Sequence, residues 1–176
     1  GADIEDNTLS GRVGVGTWNT SATFDNLKIV DNATGAVLAE EDFSSNDFAE
    51  RWIKVSDGRW AVTDGELIQS SSTTNTSLYN NTGTAAYFGE PGWTNYTYTV
   101  EATKNGGQEG FLIPFAVRDN KNNYFWNIGG WNNTVSCLQQ VNENAKSGQL
   151  SGTVKNCRIE VRKKYSLRVV VTDTNI

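Results

Sequence analysis

The stretch Tyr124-Phe125-Trp126-Asn127-Ile128-Gly129-Gly130-Trp131 brings four aromatic rings, an amide and two glycines together in eight residues. Polar sequence flanks it, Arg118-Asp119-Asn120-Lys121-Asn122-Asn123 before and Asn132-Asn133-Thr134 after. Flat rings beside amides suit a sugar. A pyranose offers an apolar C–H face to an aromatic ring, and its hydroxyls need hydrogen-bond partners when they are buried. Read as a strand, the stretch puts Tyr124, Trp126 and Ile128 on one face and Phe125 and Asn127 on the other. One set fills a core, and the other, with Trp131, is left for a ligand. The candidate binding residues are therefore Trp131, Trp126 or Phe125, Asn127, Arg118 and Gln139, with Tyr124 and Trp93 in reserve. Rings would stack on sugar faces, while the amides and Arg118 bind hydroxyls. Each residue also has a plainer reading. The rings are core packing, Arg118 is a strand-end charge, and Trp93, in Glu90-Pro91-Gly92-Trp93, is the plug of a turn.

Chemistry beyond binding finds little support. The chain has no histidine, which excludes Ser-His-Asp and Cys-His catalysis and histidine metal sites. A glycosidase needs two carboxylates facing one cleft, roughly 5 to 9.5 Å apart. Asp57, Asp64 and Asp119 sit in turn dipeptides, where aspartate bonds its own backbone. Glu66, Glu101 and Glu160 alternate onto solvent faces. No catalytic residue and no cofactor is assigned. Glu40-Glu41-Asp42 with Asp47 has the ligand type for a structural Ca²⁺ but not the spacing of a calcium loop, and a solvated acidic edge explains it equally.

The 176 residues carry a net charge of −5, which argues against nucleic acid and anionic membrane surfaces as partners. No apolar run approaches the roughly 20 residues of a membrane span. Asn, Thr, Ser and Gly supply the polarity, as suits a secreted protein with a neutral, hydroxyl-rich partner. No leader is evident, so a mature or excised extracellular piece is expected. Cys137 and Cys157 are compatible with a disulfide or with two buried thiols.

The elements that must position the aromatic stretch read as short strands. Residues 1–10 read as a loose polar arm, and 11–176 as one sandwich domain. Arg12 to Trp18, Ala22 to Val30 and Val37 to Phe43 are strands, and Phe48 to Trp52 is one helical turn. Asp57-Gly58 and Asp64-Gly65 are turns around Arg59 to Thr63, and Glu66 to Gln69 follows. Trp52 and Trp60 are spaced as core residues, and Trp18 fits either face. Ser70 to Thr84 reads as a long exposed loop. Tyr96, Tyr98, Val100 and Ala102 then alternate with threonines and Glu101, and Lys104 to Gly110 turns. Phe111 to Arg118 is apolar on both faces, so it is central, and Pro114 within it calls for a bulge or a missing ladder bond. Val135 to Val141 is a strand, Asn142 to Gly152 a loop, Arg158 to Arg162 a two-faced strand, and Tyr165 to Val171 the last strand. Strands at this spacing without helical periodicity give an all-β antiparallel sandwich of the jelly-roll sort. The tail after the last strand reads as a hairpin turn entering an absent strand, so an unpaired edge is expected unless the N-terminal strands supply the pairing or the chain has been cut.

Gly14-Val15-Gly16-Thr17-Trp18-Asn19-Thr20 with Phe24-Asp25-Asn26-Leu27-Lys28-Ile29 resembles a strand pair of concanavalin-like (laminin-G-type) sandwiches. Arg59-Trp60-Ala61-Val62 with Asp64-Gly65-Glu66-Leu67-Ile68-Gln69 is similar to the early hairpin of that group. Gly110-Phe111-Leu112-Ile113-Pro114-Phe115 with Asn123 to Trp131 resembles, more narrowly, the module attached to bacterial family 51 α-L-arabinofuranosidases. The resemblance implies a non-catalytic carbohydrate-binding module, attached to a catalytic domain and recognising xylan, arabinoxylan or a related hemicellulose. The family's catalytic glutamates lie in a barrel that these residues do not include. In that group the first strand pair usually closes the sandwich at its C-terminus. The resemblance therefore implies a permuted order, a missing final strand, or strands exchanged in an oligomer. A spacer domain and a concanavalin-like glycosidase are the alternatives.

Overall fold

The computed structural model describes residues 9–55, 58–72, 84–143, 145–173 and 175–176, with the backbone alone for 145–147. In chain order the elements are β1 (Val13–Thr17), β2 (Thr20–Asp31), β3 (Val37–Glu41), α1 (Phe48–Arg51), β4 (Trp52–Val55), β5 (Trp60–Thr63), β6 (Glu66–Gln69) and β7 (Thr84–Phe88). Then come β8 (Tyr96–Gly107), β9 (Phe111–Asp119), β10 (Asn122–Gly129), α2 (Gly130–Asn133), β11 (Val135–Asn142), β12 (Ala145–Gln149), β13 (Lys155–Asn156) and β14 (Lys164–Val171). One sheet runs β12-β11-β10-β9-β1-β7-β4, with β13 also against β11. The other runs β14-β8-β2-β6-β5, with β3 also against β2. Every strand pairing within the two sheets is antiparallel. The protein is an all-β antiparallel sandwich.

Period-two patterning makes the core. Tyr96, Tyr98, Val100 and Ala102 of β8 face inward and meet Val13, Val15, Phe111, Ile113, Phe115, Tyr124 and Ile128 of the opposite sheet. The two buried tyrosine hydroxyls are satisfied by the facing sheet's backbone. The Tyr98 hydroxyl donates to the Gly14 carbonyl at 2.8 Å, and the Tyr96 oxygen accepts the Ala116 N–H at 2.9 Å. The bulge expected around Pro114 lies beside this second bond. Between the pairs Gly16↔Leu112 and Arg12↔Val117, β9 carries one residue more than β1. The ladder is interrupted there, Ala116 takes a φ of 46°, and its freed N–H turns to Tyr96.

Other expectations meet the structure as follows. Trp52 is buried and Trp60 packs on the core beside Phe24. Phe48 to Arg51 is the expected helical turn. The first strands lie at the centre, β1 between β9 and β7 and β2 between β8 and β6, while β14 forms an edge beside β8. Of the residues expected as an arm, 1–8 lie outside the described residues, and Leu9 is buried in the core. Asp57 and most of the Ser70 to Thr84 stretch also lie outside them. Glu41 is not a solvated edge. It is buried, its carboxylate pairs with the Arg51 guanidinium at 2.9 Å, and it accepts the Phe43 N–H. The same guanidinium lies 3.5 Å from Asp47, so Arg51 supplies the positive charge among these acids. Both cysteines are free thiols.

Three expected boundaries are corrected. Strand β8 continues through Lys104 to Gly107, where a turn was expected. Asn142 to Gly152 is not all loop, because Ala145–Gln149 pairs with β11. Arg158 to Arg162 is not a strand. Arg162 has a φ of 63°, Val161 makes one isolated parallel bridge to Lys104, and the Ile159 backbone is taken up by a side chain.

Candidate functional site

Strand β10 ends in Gly129, whose φ of 73° starts the turn into β11. Trp131, Asn132 and Asn133 follow with φ of 49°, 61° and 62°. The turn α2 is thus built largely from left-handed residues; the cost falls chiefly on Trp131, about 1–2 kcal/mol, while the two asparagines tolerate the conformation better. Such a turn persists only if its surroundings hold it. The Thr134 N–H donates to the Gly130 carbonyl at 3.0 Å, and the Thr134 hydroxyl donates to the Trp131 carbonyl at 2.7 Å. The Asn133 amide bonds both the N–H and the carbonyl of Ile159. Glu109 accepts the Asn132 N–H at 3.3 Å, and the Gln108 side-chain amide donates to Asn132 Oδ1. Gln108 accepts in turn from Asn19 Nδ2 at 2.5 Å, tying in the β1–β2 turn. Gly130 is required by close packing, because a Cβ there would lie 2.6 Å from Asn127 Oδ1. The product of this bracing is an indole held outward, with Trp131 44 % exposed.

Beside the turn lies a groove of about 1250 Å³, walled by Lys104, Gln108, Asn132, Asn156, Arg158 and Glu160 among others. Amides dominate its polar wall, and two cations share it. Burial pushes the Lys104 ammonium down from its ordinary value, with Glu109 opposing and Arg158 adding to the shift. Burial pushes the Glu109 carboxyl up, while the N–H groups of Asn132 and Trp131 and the charge of Lys104 pull it back. Donors and acceptors arrayed along one groove, with the exposed Trp131 ring next in sequence to its lining residue Asn132 and not itself part of the wall, can hold a hydroxyl-rich ligand.

The structure separates the residues singled out from the sequence. Trp131 stands at the groove's end of the sandwich. Asn127 lies under Gly130, and its Nδ2 donates to Gln139 Oε1 at 2.9 Å, so these two buried amides are spent partly on each other. Phe125 lies on the outer face of the sheet in a buried cluster with Leu112 and Val141, against which Trp18 packs. Tyr124 and Trp126 face the core side. Tyr124 stacks on Phe115, and the Trp126 indole N–H donates to Ser136 Oγ at 2.7 Å. Trp93 meets Phe88 edge-on and covers Gly89, as a turn plug does. Arg118 is exposed at the other end of β9, a full length of β10 or roughly 25 Å from Trp131, so the two serve no common sugar ring.

Sequence reasoning missed Lys104, Gln108, Glu109, Asn133 and Arg158. One signal was present. Lys104 is the next inward position after Tyr96, Tyr98, Val100 and Ala102, so a cation was due between the sheets. Among the described residues no group of three or more Cys, Asp or Glu side chains is placed to hold a metal ion, and no helix is long and apolar enough to cross a membrane.

Comparison with known proteins points to one enzyme. The chain is 37 % identical over 163 residues to an extracellular exo-α-L-arabinofuranosidase of Streptomyces chartreusis. The aligned region takes in 93 % of this chain and 18 % of that relative. The chain thus resembles a small part of a glycoside hydrolase. No family model matches it, and no solved structure does.

Proposed function

We propose that this chain is a non-catalytic carbohydrate-binding module of an extracellular bacterial glycoside hydrolase, directed to xylan, arabinoxylan or a related plant hemicellulose. The observation that carries the reading is Trp131, an exposed indole on a strained and heavily braced turn, beside a groove lined with amides. Strain concentrates where function repays it. The small share of the arabinofuranosidase that the chain covers supports an accessory role beside a separate catalytic domain.

The carboxylates near the groove are occupied. Glu109 receives backbone N–H groups of the turn, and Glu160 pairs with Lys163 at 2.5 Å. Neither is poised as half of a glycosidase pair. A spacer role is the second reading, and one observation favours it. The outer-face rings Phe125 and Tyr87 are 4 % and 6 % exposed, so that face offers no open platform. Affinity electrophoresis of the chain in gels containing arabinoxylan, xylan, arabinan, β-glucan or no polysaccharide decides between them. Selective retardation is expected. Equal mobility in every gel would favour the spacer.

A further inference from the structure

Lys104 is 3 % exposed, yet its ammonium enters none of the ion pairs within 4.0 Å found among the described residues. Its backbone is occupied, since its carbonyl accepts the Arg162 N–H at 2.8 Å. Its side chain projects inward from β8 at the groove's end of the sandwich and lines the groove. Among the described residues no fully enclosed side-chain nitrogen or oxygen lacks a partner, so an ammonium without one must reach the open space of the groove. A buried cation needs compensation. The acids nearby do not supply it by contact. Glu109 acts on Lys104 from beyond 4.0 Å and accepts N–H groups of α2, while Glu160 is paired with Lys163. Arg158 stands exposed on the same wall and has no ion pair within 4.0 Å among the described residues either. Two cations therefore face one groove in a protein of net charge −5.

We propose that this groove takes the carboxylate of an acidic sugar, a uronic acid unit of the bound polysaccharide, between Lys104 and Arg158, with Asn132 and Asn156 on its hydroxyls. The proposal rests on the reading of the chain as a carbohydrate-binding module. It names the charge class of the glycan. Acidic units of plant cell-wall polysaccharides carry carboxylates, and a guanidinium binds a carboxylate by two parallel hydrogen bonds. The groove is open to solvent, so the interaction weakens as salt rises.

The test is titration of the isotopically labelled protein with sodium glucuronate, glucose or sodium acetate, followed by the amide NMR signals of Asn132, Asn133, Cys157 and Ile159. Glucuronate is expected to shift these signals with an affinity at least about fivefold above glucose and acetate. Arg158→Gln, at an exposed position where folding is safe, is expected to weaken glucuronate by about tenfold, and Lys104→Met likewise if it folds. Equal response to glucose would overturn the anionic preference, equal response to acetate would overturn the sugar, and an unchanged Arg158→Gln would remove the cation pair. The two readings fail separately. Retardation by neutral arabinoxylan without a glucuronate response overturns the acidic site and leaves the module. Absence of retardation in every gel overturns the module, while the titration still decides the groove.

Discussion

Asn133 and Ile159 are joined by a two-point hydrogen bond. Asn133 Nδ2 donates to the Ile159 carbonyl at 2.8 Å, and Asn133 Oδ1 accepts the Ile159 N–H at 2.7 Å. A side-chain amide thus does for Ile159 what a neighbouring strand would do, and fixes the turn that carries Trp131 to a segment 26 residues on. It also puts an asparagine at a left-handed position, which asparagine tolerates better than most residues.

Asn133→Ala removes both bonds and leaves a Cβ residue without local compensation at positive φ. A loss of about 2–3 kcal/mol is expected in urea unfolding. Asn133→Gly loses the same bonds but relieves the backbone, so it should be less destabilised by about 1 kcal/mol. An alanine variant as stable as the parent would show that the turn does not depend on Ile159.

Gly130→Ala places a Cβ 2.6 Å from Asn127 Oδ1 and 2.8 Å from its Nδ2. Asn127 must move, and its bond to Gln139 goes with it. The expected cost is about 1–3 kcal/mol, read as a lowered melting temperature. Retardation by polysaccharide should weaken as well, because the turn beneath Trp131 shifts. Unchanged stability would mean that the Asn127 side chain yields freely.

Glu109 and the surface acids should respond to pH in opposite senses. Hydrogen bonds from Thr34 hold Asp31 below the usual carboxylate range, and those from Asn26 and Lys164 do so for Glu101. The stability these acids contribute is present above the unfolded carboxylate value, about 4, and is lost as pH falls through their folded values. Glu109 is raised by burial, so the folded state holds its proton more tightly than the unfolded chain. Its contribution falls as pH rises above about 4.3. Glu109→Gln removes that fall. The melting temperature of the variant relative to the parent should therefore climb between pH 4 and the folded value of Glu109. A difference that stays flat with pH would contradict the assignment.

The sandwich was legible because its strands bury one face. The alternation of Tyr96 to Ala102 and the split of Tyr124, Trp126 and Ile128 from Phe125 and Asn127 both hold in the structure. Strand β12 was not legible, since Ala145-Lys146-Ser147-Gly148-Gln149 has little strand preference and forms by pairing with β11. Arg158 to Arg162 alternates like a strand, but Asn133 occupies the Ile159 backbone and Arg162 turns to positive φ. The groove escaped for a related reason. Its parts come from the end of β8, the β8–β9 turn, α2, β13 and the segment after it; local spacing announces Lys104 alone, and the others meet only when these segments converge. Trp131 was singled out from its setting of rings and amides, yet nothing local indicated the left-handed run that turns it outward.

The most direct test of the central claim is the affinity of the parent chain and of Trp131→Ala for arabinoxylan, measured by isothermal titration calorimetry with both melting temperatures in hand. Trp131 is exposed, so its removal should leave the fold intact and lower affinity at least about tenfold, in keeping with loss of a stacked ring. A Trp131→Ala variant that binds as tightly as the parent would contradict the claim that this indole holds the polysaccharide.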